Sequence, residues 1–477
     1  MMEKIQAVLT AIDDFVWGVP LIVLILVAGI FLTCRVKLLQ VFHLPRALKY
    51  MFKNEEDGVG EVSSFGALCT ALSATIGTGN IVGVATAIVA GGPGALFWMW
   101  VAAFFGMATK YAEGLLAVKY RVIDGDGHAL GGPFYYIERG MGKGWKWLAC
   151  FFAVFGVGAG LFGIGTFTQV QSVTSAINNF FDPNGQNIAF TIGENGYSWA
   201  VVIGGLVITI CAGLVIIGGI KRISKVSEIV VPFMAVIYIV LCLMIVCCNF
   251  TKIPAAVVAI VRDAFGLDAM AGGALGAIMV AMQKGIARGI FSNEAGLGSA
   301  PIAAAAAQTK EPVRQGLVTM TGTFIDTIIV CTLTGLTIVL SGAWDMGLEG
   351  VAVTTKAFQT GLPFLPEQAA SFALMLCLVF FAFTTILGWD YYSERCLEYL
   401  TGGKKWALKI FRWAYIAAVF IGPYMTLSAV WTIADIFNGL MALPNIIALI
   451  ALSSVVAKET KDYFERQKPG GKLKAKK

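Results

Sequence analysis

Eleven mostly apolar runs, each about as long as a bilayer is thick, set the terms on which this chain can fold. They cover approximately residues 17–34, 63–90, 94–118, 147–178, 198–219, 226–249, 273–296, 313–341, 368–394, 407–424 and 427–457. An α-helix needs about 20 apolar residues to cross the hydrocarbon. There, every backbone N–H and C=O must find a partner inside the protein, so such runs fold as helices. Only 13% of the 477 residues are charged and 57% are hydrophobic, whereas soluble domains carry roughly 25% charged residues. A soluble enzyme, a secreted domain and a disordered chain are excluded. The expectation is an all-α polytopic membrane protein with eleven transmembrane helices. Glu3, Asp13 and Asp14 precede the first run, where a cleaved signal peptide would carry a basic cluster.

The net charge of +6 takes its meaning from where the charges fall. Of 35 Lys and Arg, 29 lie in segments on one side; Lys4, Lys252, Arg262 and Lys356 lie on the other, and Lys284 and Arg288 lie inside a span. Positive charge favours the cytosolic side. The amino terminus is therefore expected outside and the carboxyl terminus in the cytosol, and the basic residues form a cytosolic rim, not a nucleic-acid surface. The tail Lys468–Lys477 reads as a solvated cytosolic end, with anionic lipid contact as the alternative. Loops 179–197 and 342–367, rich in Asn, Gly and Pro, read as outside caps. Ten cysteines without a C-x-x-C pair, and the isolated His43 and His128, suggest no metal or redox centre. Nothing resembles a Walker loop or a nucleophile elbow, so no catalysis, nucleotide or cofactor is expected.

Two spans break the apolar pattern in the same way. The second reads Ser73-Ala74-Thr75-Ile76-Gly77-Thr78-Gly79-Asn80-Ile81-Val82-Gly83. Glycine costs about 1 kcal/mol against alanine within a helix, so three within seven residues invite unwinding. Unwound backbone at membrane depth is tolerated where it lines a cavity or is buried in protein. The N–H groups it frees suit a carboxylate and the C=O groups suit a cation. The seventh span repeats the device between Met282 and Glu294, around Gly285 and Gly289. Close packing of helices by small residues is the competing reading for both spans, and the preferred one for Gly156, Gly158, Gly160, Gly163 and Gly165. Four intact spans separate the two breaks. With the opening span set aside, each five-span half begins with a broken helix and the halves insert with opposite topology, the plan of secondary transporters. The expected divisions are a peripheral amino-terminal helix with a basic cytosolic loop (1–62), a first repeat (63–249), an inverted second repeat (250–457) and a basic cytosolic tail (458–477).

Several segments resemble the signature of the alanine or glycine:cation symporter family. They are Thr75-Ile76-Gly77-Thr78-Gly79-Asn80, Gly91-Gly92-Pro93-Gly94-Ala95-Leu96-Phe97-Trp98-Met99-Trp100, the stretch Ser292–Pro301, and Gly322-Thr323-Phe324-Ile325-Asp326-Thr327. The resemblance implies a LeuT-type five-plus-five fold with one added amino-terminal helix. It also implies a bacterial or archaeal cell-membrane protein that imports alanine or glycine with sodium, with proton coupling as the alternative. Sodium, the small amino acid and the lipid bilayer are the implied partners; no obligate protein partner is expected.

By the same resemblance, the N–H groups of Thr78 and Gly79 hold the substrate carboxylate. The Thr75 carbonyl and the Asn80 side chain hold a sodium beside it. A second sodium falls to carbonyls near Ser73 and Ile76 with the Phe381 carbonyl, Thr384 and Thr385, although a packing role for the two threonines stays open. Such oxygens suit a hard cation. Gln169 corresponds to a pocket glutamine, with Gln171 a weaker competitor. Phe162 and Phe167 either narrow the pocket or fill core, and the Gly285 carbonyl is placed to accept the substrate ammonium. Ionisable residues within spans carry a functional hypothesis by default, here Lys284, Arg288, Glu294, Asp326, Asp390 and Asp435, with Lys110 and Glu113 nearer the cytosolic edge. Lys284 and Arg288, one turn apart, read as a cytosolic gate or as ion pairs with Glu294 or Asp390. Asp326 stays open between a structural and a proton-linked role.

Overall fold

The computed structural model describes residues 2–53, 58–125, 127–192, 195–267 and 274–467, so the tail Lys468–Lys477 lies outside the described residues. The described chain is helical apart from two short antiparallel hairpins, Val122–Ile123 with Ala129–Leu130 and Ile188–Ile192 with Asn195–Ser198. The second hairpin gives loop 179–197 regular structure where composition suggested only a cap.

The helices that bear on the site and its supports are α1 (Met2–Val16), α2 (Val19–Arg35), α3 (Ser64–Thr75), α4 (Val84–Gly91), α5 (Gly94–Tyr120), α6 (Lys146–Phe162), α7 (Phe167–Phe181), α8 (Trp199–Ile216) and α9 (Gly219–Cys248). They continue as α10 (Ala274–Asn293), α11 (Ala300–Ala305), α12 (Pro312–Thr323), α13 (Thr332–Ser341), α14 (Glu367–Thr401), α15 (Lys405–Ile421), α16 (Leu427–Ala451) and α17 (Ser453–Arg466). Eight described segments are long and apolar enough to cross a bilayer, nine if the bent pair α3–α4 counts as one. Helix α15, with 17 residues, and α10, which carries Lys284 and Arg288, occupy two further apolar runs.

Helix α5 is the central post: every residue from Gly106 to Val118 is buried. Small residues let its neighbours approach, since a Cβ on Gly316 of α12 would stand 2.7 Å from the Tyr111 carbonyl oxygen. The same geometry decides the role of the glycines in α10. That helix runs unbroken through Gly285 and Gly289. A Cβ on Gly285 would strike the Ala95 carbonyl, and one on Gly289 would lie 3.4 Å from Met99 Cα. Packing against α5, not unwinding, is what these two glycines serve, and the Gly285 carbonyl lies inside a regular helix. The expected break falls one to two turns later. Glu294, Gly296 and Gly298 adopt φ of +57°, +91° and +81°, and helix resumes only at α11.

The fourth span divides its glycines. Gly156, Gly158 and Gly160 face Cys396, Phe437 and Ser393 with no room for a side chain. Gly163 and Gly165 instead lie in a non-helical interruption between α6 and α7. The first break is where the second span predicted it: α3 ends at Thr75, a π-helical turn spans Gly79–Gly83, and the halves are bent by 50°.

Replacing Gly285 with Val puts a branched side chain where α10 touches the α5 backbone, and overpacking of this kind costs about 1–3 kcal/mol. The melting temperature of the detergent-solubilised protein should fall; an unchanged value would show that this contact does not support the fold.

Candidate functional site

At the first break the backbone turns away from the helix axis, and side chains replace the lost ladder bonds. The Gly77 N–H donates to Asn80 Oδ1 (2.9 Å) and the Thr78 N–H to Gln169 Oε1 (3.2 Å). Gln169 is held in turn by the interruption in the fourth span, donating to the Ile164 carbonyl at 2.9 Å and to Thr168 Oγ1 at 3.3 Å. A Cβ on Gly77 would strike Thr385 Oγ1, so only glycine fits at this turn. The Thr78 hydroxyl is buried and has no hydrogen-bond partner among the described residues. Thr78, Asn80, Gln169, Asp326 and Ser292 are all at most 1% exposed.

The two broken spans meet here. A Cβ on Gly79 would lie 3.2 Å from Ser292 Cα and 3.3 Å from Phe291 Cδ1, at the end of α10. Between them stands Asp326, on a π-helical segment Phe324–Cys331 that joins α12 to α13; such segments recur at functional sites. Its carboxylate accepts from Asn80 Nδ2 (2.6 Å), from Ser292 Oγ (3.2 and 3.0 Å to its two oxygens) and from Thr327 Oγ1 (2.7 Å). Asp326 thus draws donors from both broken spans. Asn80 is engaged at both ends of its amide, which leaves one lone pair on Oδ1 for a further partner.

A second cluster of oxygens lies beside the same break. Thr385 Oγ1 donates to the Phe381 carbonyl (2.9 Å) and lies 3.4 Å from the Ile76 carbonyl, while Thr384 Oγ1 donates to the Phe381 carbonyl at 3.0 Å. Two hydroxyls and two carbonyls are thus brought together. The Ser73 and Thr75 hydroxyls are turned back on their own helix, to the Thr70 and Ala71 carbonyls at 2.8 and 3.1 Å. Their backbone carbonyls are the atoms left for a ligand.

The second break is clamped by groups not singled out for that role in the sequence. Glu113 Oε1 accepts from the Gly296 N–H (3.1 Å), the Gly298 N–H (3.2 Å) and Asn445 Nδ2 (2.7 Å). Asn445 also donates to the Gly296 carbonyl at 2.9 Å and accepts from the Tyr136 hydroxyl. Glu294 accepts from Ser299 Oγ (2.6 Å) and Trp389 Nε1 (2.8 Å). The buried Lys110 lies within electrostatic reach of Glu113, Glu294 and Asp326. Lys110 and the two glutamates therefore belong to the support of this break.

Arg288 pairs with neither Glu294 nor Asp390. Its guanidinium makes a bidentate bridge to Asp435 (3.0 and 2.7 Å) and lies over the Trp431 ring at 4.8 Å. Lys284 is exposed, with its Cβ against Gly91. Both residues lie on α10 toward the Gly91 end of the first broken span, away from the end that begins at Ser64. Asp390 is buried with Oδ1 unpartnered among the described residues. Phe162 is 44% exposed and its ring is tilted against that of Phe167, which packs with Ala418 and Val430, not with the break. Gln171 lines a separate cavity of about 260 Å³ with Val82, Ser175 and Glu349, leaving Gln169 as the glutamine at the break.

Comparison with known proteins places the chain in a family. The family model described as the sodium:alanine symporter family matches residues 2–477. A transporter of Haemophilus influenzae without a described substrate is 54% identical over 97% of both chains. The sodium/alanine symporter AgcS of Methanococcus maripaludis is 47% identical, covering 97% of this chain and 98% of its own. The probable sodium/glutamine symporter GlnT of Bacillus subtilis is 40% identical, covering 98% and 93%.

Glu113→Ala removes the acceptor for two buried N–H groups, those of Gly296 and Gly298. A buried unsatisfied donor costs about 1–3 kcal/mol, so this variant should melt well below the wild type. Glu113→Gln, which keeps an oxygen facing those donors, should recover most of the loss; equal melting of all three proteins would remove the clamp.

Proposed function

We propose, from the premise that this chain belongs to the sodium:alanine symporter family, that it imports a small neutral amino acid, alanine or glycine, together with sodium. The chain is a multi-pass membrane transport protein, not an enzyme. The reading adds eleven spans in a LeuT-type inverted repeat, an amino terminus outside and a carboxyl terminus in the cytosol. It is supported by the steep asymmetry of Lys and Arg between the two sides.

The observation that carries it is the first break. Thr78 there presents an N–H bonded to the Gln169 side-chain oxygen and a hydroxyl with no partner among the described residues, two positions from an amide bonded to a buried carboxylate. An amino-acid carboxylate accepts from the Thr78 N–H and hydroxyl, the Gln169 amide turns an N–H toward that carboxylate, and the Gly79 N–H adds a further donor at the positive end of the following half-helix. A sodium beside it draws on the Thr75 carbonyl, Asn80 Oδ1, Ser292 and Asp326. A second sodium uses the Ile76 and Phe381 carbonyls with Thr384 and Thr385. Hard cations favour such oxygen sets. Gln169 and Thr385 crowd the space beside Gly77, which fits a short side chain better than the glutamine attached to the name of one relative.

Proton coupling is the second reading, and Asp326 is the observation that favours it: an ionisable group buried between both breaks is placed to carry a proton.

Proteoliposomes loaded without sodium should accumulate labelled alanine when sodium is added outside, and equal uptake with potassium instead would exclude sodium coupling. In the same assay Thr384→Ala and Thr385→Ala should raise the sodium concentration needed for half-maximal uptake. Gln169→Ala should weaken alanine binding by roughly 1–2 kcal/mol, about tenfold in Kd, with expression intact. Asp326→Asn separates the two couplings. As a sodium ligand its loss raises the sodium requirement; as a proton carrier its loss abolishes pH-driven uptake and spares alanine exchange.

A further inference from the structure

Past the end of α5, the chain turns and Arg121 reaches back across the face that the proposed orientation puts in the cytosol. Its Nη1 donates to the Ala305 and Ala307 carbonyls, both at 2.7 Å. Its Nη2 donates to the Val59 carbonyl at 2.6 Å and the Thr309 carbonyl at 2.7 Å. These acceptors belong to two segments. Residues 58–62 lead into α3, the first half of one broken span, and residues 305–309 leave α11, the second half of the other.

The two segments are also paired directly. The Glu61 and Val62 N–H groups donate to the Ala306 carbonyl at 2.8 and 3.2 Å, and the Gln308 N–H donates to the Val62 carbonyl at 2.8 Å. Val62 and Ala307 are parallel bridge partners. A Cβ on Gly58 would lie 2.5 Å from the Gln308 carbonyl carbon, and one on Gly60 would collide with the Ala307 carbonyl, so only glycine allows this approach.

We infer that Arg121, with Gly58 and Gly60, is the latch of the cytosolic gate: it ties together the inner ends of the two broken spans and must release them before substrate leaves the site. The inference rests on the transporter reading above. The site residues are almost fully buried, and α3 and α11, which run from the two breaks to this face, lie against each other beneath it. An inward path between them opens only if segments 58–62 and 305–309 part. A guanidinium suits the task because its planar fork serves several carbonyls at once, whereas a lysine ammonium is a single point of charge on a flexible stem. Arg121 is a positioning residue and touches no substrate.

Native cysteines provide the test. Cys69 on α3 is 1% exposed and Cys377 on α14 is 2% exposed. In inside-out vesicles, labelling by a membrane-impermeant maleimide is followed at each site by peptide mapping, with sodium-driven alanine uptake measured on the same preparations. Arg121→Ala and Gly60→Ala should each label Cys69 several-fold faster than wild type and leave Cys377 unchanged, with Arg121→Lys close to Arg121→Ala. A Cys69 rate that stays at the wild-type value overturns the latch. So does an equal rise at both cysteines, which reports a loosened fold. Absence of alanine uptake by the wild type counts against the transporter reading itself, independently of the labelling result.

Discussion

Backbone polar groups inside a bilayer have no water to turn to, and everything distinctive in this structure follows from where the chain gives up its helical hydrogen bonds and what replaces them. Among the described residues, three interruptions are buried among the helices, at residues 76–77, 163–166 and 294–299. Each draws at least one side chain from another span. Asn80 and Gln169 serve the first, the Tyr415 hydroxyl reaches the Gly165 carbonyl of the second at 2.9 Å, and Glu113 with Asn445 serves the third. An unwound segment so held is not loose chain. It is a fixed set of donors and acceptors, which is what a site needs to strip an ion and a zwitterion of water.

The interruptions also support one another. Gln169 can reach Thr78 only because the fourth span unwinds just before it and lends the Ile164 carbonyl to anchor the amide. Ser292 can reach Asp326 only because α10 continues to Asn293 before breaking. Had α10 broken at Gly285, the end of that helix would lie about 10 Å away by its rise per residue. The two breaks would then not share Asp326.

The sequence carried the fold class and the first break plainly, because a membrane span is long and its apolar content is a strong signal. A Gly-Thr-Gly-Asn run has no reading within a helix as good as unwinding. The second break was harder to place because an isolated glycine has two physical meanings. Gly285 and Gly289 are helical and serve close approach to α5, while Gly296 and Gly298 take positive φ and end the helix; spacing alone does not tell them apart. The segment Ser292–Pro301 held the better signal, two glycines followed by a proline that opens a new helix. The partners of buried charges were out of reach for a different reason. Arg288 and Asp435 are 147 positions apart, as Glu113 and Asn445 are 332 apart, and nothing local links them. Phe162 and Phe167 followed the fold analogy toward the pocket, and the packing of α7 against α15 turned them away from it.

The two faces of the site are closed by different physics. On the Gly91 side, Arg288 and Asp435 are both charged side chains, joined by a bidentate bridge that also lies over Trp431; each partner can move with its own helix, and no main-chain hydrogen bond is lost when they separate. On the other side, Arg121 and the bridge between residues 58–62 and 305–309 bind through backbone carbonyls and amides, so separating the segments exposes several main-chain groups at once. In the proposed topology this face lies at the membrane edge, where water can satisfy those groups. A gate made of backbone pairing is workable there, whereas the unwound breaks, buried among the helices, can give up a protein partner only to a ligand that replaces it.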